Sequence, residues 1–226
     1  GDGDWTAEAP TIKDVGSKEV TVKAENPNYV TAEATYTLTV NPKDVTVTAD
    51  DKSKVYGDAD PKLTATDSGL LGTDKVTYTL DREAGEEEGT YAITPSGEEA
   101  QGNYTVTYYP GTLTITAQSI VPEDPSYRGV TVDDPRDHEY DAQEHKWTPT
   151  VTDKEGNKLT EGSDYEVSYD TDNFVDVKTI TVTITGKGNY SGSVTRTYRI
   201  TPASATVTAN NKNKMFGEAD PELTAD

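Results

Sequence analysis

The chain has 226 residues, of which 32% are hydrophobic, and a formal net charge of −21. Such acidity excludes a nucleic-acid face, which needs clustered Lys and Arg, and opposes docking on an anionic bilayer leaflet. The absence of Cys excludes a disulfide framework, a thiolate nucleophile and a zinc ribbon, and no apolar run approaches the roughly 18 residues that a membrane span needs.

In chain order, residues 1–41 read as the back end of a module. Lys18–Ala24 alternates with Val20, Val22 and Ala24 on one face, and Thr31–Val40 with Tyr36, Leu38 and Val40. Period-two alternation of this kind signals half-buried strands. Residues 42–118 read as a complete module, with strands expected at Val45–Ala49, Leu63–Thr66, Val76–Leu80, Thr90–Thr94, Tyr104–Tyr109 and Leu113–Thr116. The inward sets are Val45/Val47, Val76/Tyr78/Leu80, Tyr91/Ile93, Tyr104/Val106/Tyr108 and Leu113/Ile115; Thr fills most positions facing the other way. Residues 119–201 form a second module, with strands at Gly129–Val132, Lys146–Asp153, Asp164–Tyr169, Thr179–Thr185 and Ser193–Thr201. Arg196 shares a face with Val194, Tyr198 and Ile200 there, so it should sit near an edge and snorkel.

Residues 202–226 open a further module, because Pro202–Asp226 repeats Pro42–Thr66 at an offset of 160 with 14 of 25 positions identical. Repeats at a fixed offset mean a tandem array. The second copy stops before a module of this size is complete, so the chain is expected to be a piece of a longer one, with 1–41 and 202–226 incomplete. A shorter signature links the modules: Pro27-Asn28-Tyr29, Gly102-Asn103-Tyr104 and Gly188-Asn189-Tyr190. Each marks a tight turn before the penultimate strand, and each Tyr is expected to enter the core as in a tyrosine corner. No stretch has a helical period. The fold class is therefore all-β: tandem Ig-like β-sandwich modules in an elongated array.

Residues 42–118, with VTVTA, KVYGDADP, GLLGTDKVTYTL, EGTYAITPSG and GNYTVTYYPGTLTI, resemble the MBG domain of bacterial surface proteins, and the segment from Pro202 restarts it. Tyr140–Ile200 resembles another bacterial Ig-like repeat of Gram-positive surface proteins, departing from it at Asn173–Lys178. The resemblance implies an extracellular protein of the bacterial cell surface or wall, often an adhesin or a multidomain enzyme whose catalytic part lies elsewhere. It supplies no catalytic residue.

Acid pairs are the first candidates for chemistry. Asp58 and Asp60, and Glu218 and Asp220, stand two residues apart beside turns and could give Ca²⁺ two oxygens; the alternative is a Pro-terminated turn with Asp60 capping local amides. No EF-hand pattern is present, no other cofactor is implied, and Asp81–Glu88 reads as a solvated hairpin tip. His138 and His145 lack the further ligands a zinc site needs. Ser126 can join a His and an Asp only on paper, without a nucleophile elbow. Trp147, Tyr140 and Tyr127, with Trp5, could stack on sugar rings, although Trp147 also fits the core of its module. The expected function is a non-catalytic stalk that projects a functional domain, with neighbouring modules of the same chain as partners and no nucleic acid or membrane insertion. The alternatives are an adhesin module for a host glycan or protein, and an accessory part of a secreted enzyme.

Overall fold

The computed structural model describes residues 11–24, 30 and 32–225. Among them every regular element is a strand, and the chain divides into two compact units, one ending at Thr116 and one starting at Ala117.

The first unit begins with β1 (Gly16–Ala24) and β2 (Ala32–Val40), an antiparallel ladder in which Val20 faces Tyr36. Eight strands follow: β3 (Lys43–Ala49), β4 (Lys52–Val55), β5 (Ala65–Ser68), β6 (Thr79–Arg82), β7 (Gly89–Ser96), β8 (Ala100–Gln101), β9 (Tyr104–Tyr109) and β10 (Gly111–Thr116). They form two four-stranded sheets, ordered β5-β3-β9-β8 and β4-β10-β7-β6. Two of the pairings are parallel. β3 runs alongside β9 with Lys43 opposite Tyr104, and β4 runs alongside β10 with Lys52 opposite Leu113. The expected inward residues fill the core: Val45, Val47, Tyr104 and Val106 in one cluster, Ala49, Ile93, Leu113 and Ile115 in another. The two sheets approach closely where β10 begins, at Gly111, beside the end of β3. A Cβ there would collide with the carbonyl of Ala49.

The second unit contains β11 (Gln118–Ser119), β12 (Thr131–Val132), β13 (His138–Glu139), β14 (Val151–Thr152), β15 (Tyr165–Tyr169), β16 (Lys178–Gly186), β17 (Tyr190–Ser191) and β18 (Ser193–Thr201). Its main sheet runs β13-β18-β16-β15, with β11-β17 and β12-β14 as short pairs. The two parallel pairings recur. β11 lies beside β17 with Gln118 opposite Tyr190, and β13 beside β18 with His138 opposite Ile200. Ile180, Val182, Ile184, Tyr198 and Ile200 are buried.

The Gly-Asn-Tyr turns position this arrangement in both units. Gly102 and Gly188 adopt φ of +59° and +60°, a region that costs glycine little. The Asn103 carbonyl then accepts the Lys43 amide (2.9 Å), and the Asn189 carbonyl accepts that of Gln118 (2.8 Å). Each turn thus hydrogen-bonds the start of its unit's first strand of the parallel pair.

Several expected strands differ in extent, for local reasons. Lys146–Asp153 is regular only at Val151–Thr152: Pro149 lacks an N–H, and the Tyr198 hydroxyl bonds the carbonyl of His145 while that of Tyr169 bonds the carbonyl of Trp147. Val76–Leu80 begins only at Thr79, since the Gln101 side chain takes both the amide and the carbonyl of Thr77. Leu63–Thr66 shifts to Ala65–Ser68. Arg196 is half-buried; β13 flanks β18 only at Ile200 and Thr201, and the guanidinium reaches the Val132 carbonyl. Asp134 lies 2.7 Å from its Nε as an ion pair, without hydrogen-bond alignment.

Replacing Ile93, which is 0% exposed, with Ala is expected to lower stability by about 2–5 kcal/mol through the cavity it leaves. Gly111→Ala should cost about 1–3 kcal/mol by pushing the start of β10 away from the end of β3 in the other sheet. Urea unfolding of each variant checks both values.

Candidate functional site

The concentration of charge in the first unit lies around the Tyr-Gly-Asp turn. The Asp58 amide donates to the Val55 carbonyl at 3.0 Å, and Gly57, at φ +83°, occupies the third position of the turn, where positive φ favours glycine. The reversal brings Asp60 back to Lys54 at the end of β4. Lys54 Nζ lies 2.7 Å from Asp60 Oδ1 and 2.5 Å from Glu86 Oε2, although its side chain is only 4% exposed. A buried ammonium is costly unless paired, and here it has two carboxylates.

Arg82 at the end of β6 closes the cluster. Its Nε donates to Asp60 Oδ2 at 2.8 Å, and its amino groups bond Glu86 and the carbonyls of Glu83 and Gly85. The guanidinium lies over the Tyr91 ring, 5.8 Å from its centroid. Two cations and two anions therefore alternate around one ring. The hydrogen bonds from Lys54 and then Arg82 hold the carboxyls of Asp60 and Glu86 below the usual range. Burial alone would push Lys54 down, but Asp60 and Glu86 together raise it. The arrangement can lock a turn; it presents no nucleophile beside a base.

The second copy of the motif repeats the local geometry. Lys214 pairs with Asp220, and Glu218 accepts the Met215 amide at 3.0 Å. Both oxygens of Asp60 thus face cations, so that carboxylate is engaged as a counter-ion rather than offered to Ca²⁺. Asp58 is half-buried in the turn. Among the described residues no group of three or more His, Asp or Glu is arranged to hold a metal ion.

The other sequence candidates are dispersed. His145 Nε2 lies 2.8 Å from Asp141 Oδ1, and its ring stacks on His138 with centroids 4.3 Å apart. Ser126 donates its hydroxyl to Asp124, not to a histidine. The Tyr127 hydroxyl bonds the Val130 carbonyl at 2.8 Å. The Tyr140 ring is exposed, while its amide bonds Thr201. Trp147 is half-buried, and the fully buried aromatic ring of this unit is that of Tyr198 instead. Tyr104 and Tyr190 are buried, and the Tyr104 hydroxyl donates to Asp74 at 2.6 Å. Tyr29 and Trp5 lie outside the described residues. Sequence reasoning missed Arg82 and Glu86, read as part of a solvated tip. The available signal was the Lys retained six residues before Asp in both copies, Lys54/Asp60 and Lys214/Asp220.

The depressed carboxyls contribute stability above their unfolded pKa, near 4, and that contribution is lost as pH falls through the lower folded values. The raised Lys54 contributes below its unfolded pKa and loses its share only as pH rises through the higher folded one. Asp60→Asn should therefore flatten the loss of stability between about pH 5 and pH 2. Urea titrations across that range should show a shallower acid limb than wild type; an identical limb would remove Asp60 from the balance.

No curated protein matches the chain. Residues 45–114 match the family model of the MBG domain (YGX type), a span that holds the Tyr56-Gly57-Asp58 turn, the whole Lys54–Asp60–Arg82–Glu86 ring and the ladder of β3 with β9 from Val45 onward. This chain carries an MBG domain of the YGX type over those residues.

Proposed function

We propose that the chain is a non-catalytic, load-bearing spacer of a bacterial cell-surface protein, with neighbouring modules of the same protein as its partners. The observation that carries this reading is the direction of the pairings. In the first unit β4 runs parallel to β10, the last strand; in the second, β13 runs parallel to β18, again the last. Tension drawn from the start of the early strand and the end of the late one slides parallel neighbours along each other. All the bonds of the ladder then share the load and must fail together. An antiparallel pair drawn from its two open ends, as β1–β2 would be, opens one bond at a time. The extracellular placement rests on the resemblance of the sequence to surface repeats, and the strong negative charge suits a solvated, self-repelling surface chain.

Pulling the chain by its termini is expected to give two high-force events. Each should release about 210–230 Å, the contour of the 65 residues from Lys52 to Thr116 or the 64 from His138 to Thr201. Events no stronger than the opening of β1–β2 would reject a load-bearing role. Binding to an immobilised glycan that Trp147→Ala abolishes would identify an adhesin module instead.

A further inference from the structure

The side chain of Asn103 does something that its own turn does not need. The turn is satisfied by Gly102 at positive φ and by the main-chain carbonyl of Asn103, which accepts the Lys43 amide at 2.9 Å. The side-chain amide is directed instead at the segment just before β1. Its Oδ1 accepts the Val15 amide at 2.8 Å, and its Nδ2 donates to Asp14 Oδ1 at 3.0 Å. Both halves of one amide thus grip two consecutive residues, 88 and 89 positions away.

The place of this grip matters. β1 and β2 form a sheet of their own, and Gly16 stands opposite Val40 at its end. Asp14 and Val15 therefore lie beside the point where the chain leaves β2 and passes through Asn41-Pro42 into β3 at Lys43. Pro42 fixes one dihedral there and restricts Asn41, but a single covalent thread still lets the hairpin turn about it. A second attachment, at Asn103, removes that freedom. We infer that Asn103 is a positioning residue for this joint, and that its side chain fits one partner: the Asp-Val pair that opens the last hairpin of the preceding module.

The residue type follows from the chemistry, since the site needs an acceptor and a donor on one short side chain; an ionised Asp offers no donor. The partner's signature recurs. Asp176-Val177 stands immediately before β16, whose pairing with β18 leads to Pro202 as that of β1 with β2 leads to Pro42. There too the carboxylate takes a side-chain amide, that of Asn173 at 2.7 Å. The latch rests on the spacer reading for its purpose alone, because a spacer that keeps its reach needs joints that do not swivel. Its test applies no force, so either can fail without the other.

Amide exchange and residual dipolar couplings of the full chain test the latch. In Asn103→Ala the Val15 amide is expected to exchange about three- to tenfold faster, with the Lys43 amide unchanged because the main-chain carbonyl stays in place. The couplings of β1–β2 and of β3–β10 should fit one alignment tensor in the wild-type chain and need two in the variant. Asp14→Ala, which leaves the turn untouched, should give the same split. Asn103→Asp sets two carboxylates together and should loosen the joint as well; adding Asp14→Asn restores a donor opposite an acceptor and should recover the single tensor. Val15 exchange unchanged in both alanine variants overturns the latch. So does a single tensor in both, or a wild-type chain that already needs two. Equal acceleration at Val15 and Lys43 in Asn103→Ala would mean that the side chain serves the turn alone, and this too overturns it.

Discussion

The constraint on which the rest depends is the parallel pairing of an early strand with a late one. Parallel neighbours cannot be joined by a tight hairpin, so the intervening chain must leave the ladder and return. In the first unit that excursion supplies β4 to β8; in the second it supplies β12 to β16. The Gly-Asn-Tyr turn marks its return in both, because its Asn carbonyl receives the amide that begins the early strand and its Tyr sinks into the core. One short signature therefore fixes register twice, in two modules that otherwise differ in strand length and sheet order.

The charge cluster follows from this architecture. Once β4 is held beside β10, Lys54 is carried into the interior and needs counter-ions. Asp60 arrives because Gly57 permits the turn, and Arg82 and Glu86 arrive from the end of β6 and the segment that follows it. Asp60 and Glu86 remain partly open to water, so each pairwise attraction is screened. Their work is to make one conformation of the turn cheaper than its competitors, since a buried lysine without them would be costly.

Much of this was legible in the sequence. Alternation located β3, β9, β10, β15, β16 and β18 closely, because Val, Ile and Tyr alternate with Thr and one face must be buried. The two-residue strands at Ala100, Gln118 and His138 were not legible, since a pair of residues has no period, whereas the one at Tyr190 was marked by its Gly-Asn-Tyr turn. Nor was β4, where Lys-Ser-Lys-Val conceals a strand behind two charges. The ring of ions was half legible: the Lys–Asp spacing stands in both copies, but Arg82 and Glu86 meet it only through sheet order, which no local pattern encodes. Trp147 illustrates the reverse. Its size suggested a core position, yet Pro149 and the tyrosine hydroxyls on the neighbouring backbone leave it half-buried, and Tyr198 takes the interior.

The pairing of β3 with β9 also sets a schedule for folding. Lys43 is synthesised 61 residues before its partner Tyr104, an interval of about 3–12 s at common translation rates of roughly 5–20 residues per second. Throughout it β3 is a bare alternating Val–Thr strand, the kind of edge that recruits other chains. Residues 1–104 already hold 21 Asp and Glu against nine Lys and Arg, a formal charge of −12 that keeps nascent neighbours apart by the end of that wait. The acidity of the finished surface is thus also a safeguard for the unfinished one.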